Sequence, residues 1–446
     1  MPSKNLQIHK PTLELNGEIT PPGSKSYSHR AFILAGLSEG VSVIKNPLST
    51  GDVKVTIDLL RFLGVKVIPQ NPNVYIVRGN TAWTREWEGS FDCQNSGTTF
   101  RIFTALALII KNGLKLSGEF LKRNRPIIPL LSALESLGAE YEISNNEIYI
   151  YRKNDNCNSI GIPGNISSQF ITALLILSPL LVCNSSTFIE INLTTPMVSY
   201  PYLKITLFLL EHFGINIQEK KKEDGLLTYQ IENSQKYRAQ EIEIPSDFSA
   251  TAFMIAAGIL TPKNSMIKLR NININDPQGD KQMVDIVKRM GAKIQIIKEK
   301  NEIVIHGNIK KNPLKGIEID CSNIPDLFPI LCVIGSFAKG KTILKNIKTI
   351  RLKESDRVSI MTRELTKMGA KIKEKENEIN IHHTQILYGA NIEHENDHRI
   401  AMACTIATLF ADSKSTIPNI NIVEDSYPNF IQDLLNLGAK IKLKEN

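Results

Sequence analysis

The chain has 446 residues, 42% hydrophobic and 22% charged, which at roughly 150 residues per domain gives two or three globular domains and excludes disorder as the main state. Lys and Arg exceed Asp and Glu by 53 − 45 = +8. That excess favours an anionic partner, whether nucleic acid, acidic lipid or a phosphorylated metabolite, and does not choose among them.

From the N-terminus, Met-Pro-Ser-Lys-Asn-Leu lacks the apolar core of a secretory signal, and Leu6-Gln7-Ile8 and Leu13-Glu14-Leu15 read as strands. Beyond them one pattern recurs: a helix-like stretch closing on Leu, Phe or Met, then Gly, then an alternating strand. It appears as RFLGVKV, ESLGAEY, EHFGINI, KRMGAKI, TKMGAKI and LNLGAKI, with glycines at 64, 138, 214, 291, 369 and 438, spaced 74, 76, 77, 78 and 69 residues apart. Gly just past a helix takes the left-handed conformation that satisfies the last carbonyls. One such glycine is an ordinary cap; six at a near-constant period point to duplication.

A second pattern runs in step with the first. A polar opening leads into a helix with almost no polar face, as in PGSKSYSHRAFILAGL, CQNSGTTFRIFTALALI, PGNISSQFITALLILSPL, PSDFSATAFMIAAGI, SNIPDLFPILCVIGSF and NDHRIAMACTIATLF. Such a helix must be buried on every side, so each repeat supplies one interior and one amphipathic helix, with strands between. Six interior helices exceed one compact core of this size. Two domains of three repeats are expected, with the crossing near Pro245 after the Lys/Glu- and Gln/Asn-rich stretch 219–240, and with the first twenty residues open to either domain.

The polar openings carry the chemistry. A helix N-terminus presents unpaired N–H groups and about half a positive charge, which suits phosphate or carboxylate. Lys25, Arg30, Arg101, His398 and Arg399 stand at or near such openings, and Arg125, Arg351, Lys353 and Arg357 lie in KRNRPIIP and RLKESDR. Taken singly, each Ser, Asn or Asp is a plain N-cap; together with arginines, whose planar fork matches anions bidentately, they form an anion site. Asp326 and Glu354 sit among this basic set, where proton transfer is the main reason to keep a carboxylate.

The six cysteines, Cys93, Cys157, Cys183, Cys321, Cys332 and Cys404, form no CxxC pair and no zinc-type spacing. They read as unpaired thiols of a reducing compartment. The longest apolar run, residues 170–183, contains Thr172, Ser178 and Pro179 and falls short of the roughly 20 residues of a membrane span. A soluble, cytoplasmic protein without metal is expected. A basic repeat protein that binds nucleic acid is the reading from another class, and it lacks aromatic stacking clusters.

PGSKSYSHRA, NSGTTFR, RP followed by PLL, ISSQFITALL, VSYPYLKITL, the IPD of NIPDLFP, RLKESDR and NDHRIAM, in this order, resemble the EPSP synthase (3-phosphoshikimate 1-carboxyvinyltransferase) family of enolpyruvyl transferases over essentially the whole chain. The resemblance implies a two-domain, inside-out α/β barrel, each domain three βαβαββ units around buried parallel helices, closing on substrate in the cleft between them; it also implies two crossings near residues 22 and 245, so that residues 23–244 form the first domain and residues 1–22 with 245–446 the second. It implies small-molecule substrates, shikimate 3-phosphate and phosphoenolpyruvate, with no cofactor, and a monomer as the family expectation.

Residue by residue, the resemblance gives Lys25, Ser26 and Arg30 to shikimate 3-phosphate, with Ser167, Ser168 and Ser199 on its phosphate, Tyr202 against its ring, and Asp326 and Lys353 also in contact. Phosphoenolpyruvate would meet Lys25, Asn95, Gly97, Arg125, Arg357 and Arg399, while Gln169 touches both substrates. Asp326 would be the base at the 5-hydroxyl, Glu354 would move the proton at C3, Lys25 would stabilise the departing phosphate, and His398 would line the reacting centre. Two positions depart from the family pattern: Asp425 stands where a phosphoenolpyruvate-contacting Lys is common, with Lys414 a nearby candidate to compensate, and Thr349 replaces a frequent Asn.

Overall fold

The computed structural model describes residues 4–80, 83, 89–144, 146–155, 157, 159–184 and 186–445. Gly23–Ile244 forms one compact unit and the chain on either side of it forms a second.

In the first unit the repeat reads strand, interior helix, strand, outer helix, hairpin. The interior helix α1 (Lys25–Leu37) is followed by the outer helix α2 (Gly51–Phe62). The next repeat holds interior α3 (Gly97–Leu106), the single turn α4 (Glu119–Lys122) and outer α5 (Ile128–Glu135). Interior α6 (Ser168–Leu177) and outer α7 (Tyr200–His212) complete the set. Each repeat carries a four-stranded sheet with one parallel pair. In the third, Ile160–Ile162 runs parallel to Phe188–Leu193, which pairs antiparallel with Leu227–Glu232, and that strand with Ile217–Lys221.

The second unit repeats the scheme with interior α8 (Phe248–Ile259), α10 (Phe328–Phe337) and α12 (His398–Leu409) and outer α9 (Gln282–Arg289), α11 (Arg357–Lys367) and α13 (Phe430–Asn436). The chain's path between units is written into the sheets. Asn16–Ile19 pairs parallel with Ser265–Leu269 in the second unit, and Glu241–Glu243 returns to pair with Gly40–Lys45 in the first. Lys4–Ile8 lies between Ser415–Ile417 and Lys442–Glu445, antiparallel to both.

Interior and outer helices differ as their sequences require. All twelve residues of α8 and all twelve of α12 are buried, whereas α9 buries only Met283, Val284, Ile286 and Val287. Each fully buried Leu, Ile or Phe contributes roughly 1.5–3 kcal/mol of transfer free energy, which is what sets these helices in the middle of their sheets. Gly258 lets α8 approach its sheet closely, since a Cβ there would lie 2.8 Å from Ile305 Cγ2. The six repeat glycines follow α2, α5, α7, α9, α11 and α13 with φ between 83° and 101°.

Two expectations are corrected. Leu13–Leu15 is not a strand: Thr12 N–H donates to Leu409 O at 2.7 Å, Leu13 O accepts from Lys263, and Leu15 N–H donates to Ser265 Oγ at 2.9 Å, so its backbone is satisfied by irregular partners. The cysteines are not all thiols. Cys157 and Cys183 form a disulfide with Cα atoms 5.6 Å apart, while Cys93, Cys321, Cys332 and Cys404 are buried thiols. The pair is 26 residues apart in sequence and is brought together by the fold around α6, which no spacing motif encodes. Among the described residues no helix is long and apolar enough to cross a membrane.

Candidate active site

In the first unit the openings of α1, α3 and α6 carry the basic groups. Ser96 caps α3, its Oγ accepting the Thr99 N–H at 3.4 Å, and Ser167 caps α6, its Oγ accepting the Gln169 N–H at 3.3 Å. Gln169 joins the two helix ends, accepting from Arg101 at 2.6 Å and donating to Thr98 Oγ1 at 3.0 Å. Arg101 is itself fixed by two donations to Pro126 O and by the faces of Phe120 and Phe170 at 4.8 and 5.2 Å. One turn further along α6, Thr172 Oγ1 accepts from the buried Arg30, whose Nε–H donates to Thr206 Oγ1 at 2.7 Å. Burial lowers the Arg30 guanidinium to about 10, a value at which it stays charged near neutrality.

Arg125 reaches across to α3, donating to Asn95 O at 2.9 Å. Its guanidinium occupies the space beside Gly97, where a Cβ would come within 2.7 Å of Nη2. A side chain at position 97 would push the Arg125 guanidinium out of that place. Lys25, the first residue of α1, is in an ion pair with Asp52 at 2.5 Å. Ser199 is buried with φ 56°, a left-handed conformation rare for serine, and Tyr200–His212 begins directly after it. Behind these openings His29 Nδ1 lies 2.7 Å from Thr56 Oγ1, and the line of hydroxyls continues through Thr99 to the Ser96 cap. Burial pushes the His29 imidazole down to about 3.

The second unit gathers the acids. Arg357 is fully buried and paired with three carboxylates: Asp326 at 2.8 Å, Glu354 at 2.6 Å and Asp397 at 2.8 Å. Arg399 reaches the other oxygen of Asp326 at 3.1 Å. Burial opposes ionisation of Asp326, but Arg399, Arg357 and Lys353 outweigh it and hold the carboxyl well below the usual range. The same contest ends the same way at Asp397, where Arg357 prevails over burial. Asp397 also caps α12, accepting the Arg399 N–H at 2.9 Å, and His398 is the buried first residue of that helix.

Of the residues singled out in the sequence, Arg30, Asn95, Gly97, Arg125, Ser167 and Gln169 meet around α3 and α6. Lys25, Ser26, Ser168, Ser199 and Tyr202 stand at the N-terminal ends of α1, α6 and α7. Asp326, Glu354, Arg357 and Arg399 form one charge network, with Lys353 acting electrostatically on Asp326. Arg351 does not join it, being paired with Asp356 and Glu374. Asp425 ends the short turn Ile420–Asp425 half-buried, and Lys414 is exposed before the strand Ser415–Ile417. Sequence reasoning missed Asp52 and Asp397 as ion-pair partners. The second had a signal, an acid immediately before His-Arg at a helix opening; the first had none.

A family model for EPSP synthase (3-phosphoshikimate 1-carboxyvinyltransferase) matches residues 9–434. A 3-phosphoshikimate 1-carboxyvinyltransferase from Methanococcus vannielii is 40% identical over 443 residues, covering 98% of this chain and all of that one. The enzyme of that description from Clostridium novyi is 37% identical, covering 96% of each chain. Among solved structures, an EPSP synthase from Acinetobacter baumannii superposes with a TM-score of 0.78 at 23% identity, covering 99% of this chain and 100% of that one. The enolpyruvyl transferase NikO from Streptomyces tendae gives 0.80 at 16%, covering both chains fully. At those identities the two structures speak for the fold.

Proposed function

The chain belongs to the EPSP synthase (3-phosphoshikimate 1-carboxyvinyltransferase) family, and we infer that it transfers the enolpyruvyl group of phosphoenolpyruvate to the 5-hydroxyl of shikimate 3-phosphate, on the route to chorismate and the aromatic amino acids. The observation that carries the reading is the pair of arginines on Asp326: two guanidiniums within 2.8 and 3.1 Å of one carboxylate, in a chain matched to the family over residues 9–434.

The bond changes assign the roles. The 5-hydroxyl oxygen adds to C2 of phosphoenolpyruvate, its proton passing to Asp326, while Glu354, protonated once Arg357 has left it for substrate, gives that proton to C3, which becomes a methyl group. The tetrahedral intermediate then returns a C3 proton and its C2–O bond to phosphate breaks, leaving the enol ether and inorganic phosphate. Asp326 is too weak a base while both arginines neutralise it. A phosphoenolpyruvate that draws Arg357 and Arg399 onto its own anionic groups removes that countercharge, and the proton affinity of Asp326 climbs when a base is needed. Lys25 leaves Asp52 for substrate phosphate in the same way. His398 lines the reacting centre.

On the first unit's helix openings, Ser26, Arg30, Ser167, Ser168, Ser199 and Tyr202 hold shikimate 3-phosphate, joined by Lys353. Asn95, Gly97 and Arg125 take phosphoenolpyruvate, and Gln169 serves both. Oriented N–H groups and guanidiniums held in advance suit a charge-rich transition state. The reading includes a cytoplasmic monomer that uses no metal or organic cofactor. Phosphate release that needs both substrates, and that falls steeply in Lys25→Ala, tests it; release from phosphoenolpyruvate alone contradicts it.

A further inference from the structure

His29 has no part in that division of labour, yet it ties α1 to the opening of α3. It directly precedes Arg30 on α1, and consecutive residues of a helix project about 100° apart. Arg30 turns to Thr172 on α6 and Thr206 on α7, whereas His29 turns to α2. Its Nδ1 lies 2.7 Å from Thr56 Oγ1, Thr56 Oγ1 lies 2.7 Å from Thr99 Oγ1, and Thr99 Oγ1 lies 2.7 Å from Ser96 Oγ. All four residues are fully buried. The line ends on the residue between Asn95 and Gly97, where the Arg125 guanidinium donates to Asn95 O.

Such a line has a direction. Each hydroxyl carries one proton and each link needs one, so the protons run either all towards the imidazole or all away from it. Towards it, Nδ1 accepts and the proton of the neutral ring sits on Nε2, which has no hydrogen-bond partner among the described residues. A buried N–H without an acceptor is rare and costly in a fold. Away from it, Nδ1–H donates, only a ring lone pair goes unused, and the last proton is that of Ser96 at the opening of α3. Burial keeps the ring neutral: it lowers the imidazole to about 3, with Asp52 opposing and Lys25 and Arg30 assisting, so the two nitrogens are not both protonated near neutrality.

We propose that His29 is a positioning residue for phosphoenolpyruvate, which donates Nδ1–H into the hydroxyl line, braces the Ser96 cap from behind and so keeps Asn95 and Gly97 in register with Arg125. The cap needs that brace. Its own bond from the Thr99 N–H is long, 3.4 Å, beyond the usual range for a firm N–H···O bond, whereas every hydroxyl link behind it is short. Because the inference rests on the enolpyruvyl-transfer reading and on the place it gives Asn95 and Gly97, the test separates the two.

The KM for each substrate and kcat are measured in the wild type, His29→Leu, His29→Asn and Thr56→Val. His29→Leu and Thr56→Val break the line at its end and at its middle while keeping apolar bulk. Each raises the KM for phosphoenolpyruvate about tenfold, which at about 1.4 kcal/mol per factor of ten is the worth of one hydrogen bond, and leaves kcat and the KM for shikimate 3-phosphate close to wild type. His29→Asn, whose amide N–H stands near the place of Nδ1–H, restores the wild-type KM. An unchanged KM for phosphoenolpyruvate, two KM values that rise together, or a His29→Asn no better than His29→Leu overturns the proposal and leaves His29 a packing residue. If the variants do not fold, nitrogen NMR of the wild-type imidazole decides: a protonated Nδ1 beside a bare Nε2 supports the brace, and the proton on Nε2 overturns it. Wild type that releases no phosphate from the two substrates overturns the functional reading; wild type that releases it with all variants alike overturns this inference alone.

Discussion

The two units are built on one repeat and use it in opposite ways. Each buries three helices whose positive ends come together. In the first unit Ser96 and Ser167 cap two of these ends and Ser24 precedes the third without a side-chain cap, with Lys25, Arg30, Arg101 and Arg125 around them. In the second, Asp247 and Asp397 cap two of the three and Asp326 precedes the other, with Arg357 and Arg399 threaded between the carboxylates. A serine cap satisfies a backbone N–H and leaves the field of the helix to a ligand; an aspartate cap satisfies the N–H and consumes the field. On the proposed reading, the duplicated scaffold has one half that holds anions and another that moves protons.

Kinetics break the comparison most sharply. Asp326→Ala should lower kcat by about 10²–10⁴-fold, the range typical for loss of a general base. Ser167→Ala, at a first-unit opening, should chiefly raise the KM for shikimate 3-phosphate. A variant pair with equal kcat losses would mean that the halves are not specialised.

Stability comes next. Arg357→Met strands three carboxylates, one of them fully buried, and should cost about 3–5 kcal/mol in denaturant titration. Arg30→Met leaves hydroxyl partners that can bond one another, since Thr172 and Thr206 already do at 2.8 Å. Its cost should be smaller, and the reverse order would refute this account of the two arginines.

Acid separates the units with opposite signs. His29, held near 3 by burial, stays neutral in the fold while the unfolded chain takes a proton below about 6.5. The first unit therefore loses up to about 3 kcal/mol between pH 6.5 and 4. Asp280, which burial raises to about 7, binds its proton in the fold first, so the second unit gains stability as pH falls from 7 to about 4. The depressed carboxyls of Asp326 and Asp397 give stability that is lost only as pH falls below about 4. Hydrogen exchange read by mass spectrometry reports each unit separately, and His29→Asn should flatten the trend in the first.

The smallest effect concerns Asp425. Replacing it with lysine restores the family's common charge, and the KM for phosphoenolpyruvate should fall several-fold; an unchanged KM would mean that this position does not meet the substrate.

The comparison also shows what a sequence can carry. The six glycines and six apolar helices were legible because each is a local matter of backbone conformation or of helix faces, and all six glycines sit at positive φ. Arg30, Arg101 and Arg399 were picked out because they lie at or near interior-helix openings, and Arg125, Arg357 and Asp326 because of the motifs KRNRPIIP, RLKESDR and NIPDLFP; Arg351, picked out with them, pairs with Asp356 and Glu374 instead. Asp52 beside Lys25, Asp397 beneath Arg357 and the Cys157–Cys183 bond were not, because each is a meeting of distant segments decided by packing. Leu13-Glu14-Leu15 alternates like a strand, yet its hydrogen bonds are with the Lys263 N–H and the Ser265 hydroxyl.

Carrying out the reaction in heavy water and weighing the product tests addition followed by elimination directly. If C3 of phosphoenolpyruvate becomes a methyl group and then returns a proton, 5-enolpyruvylshikimate 3-phosphate should carry deuterium in its vinyl methylene, and Glu354→Gln should slow both its formation and its labelling. Product formed without deuterium, or no such product from the two substrates together, would contradict the account.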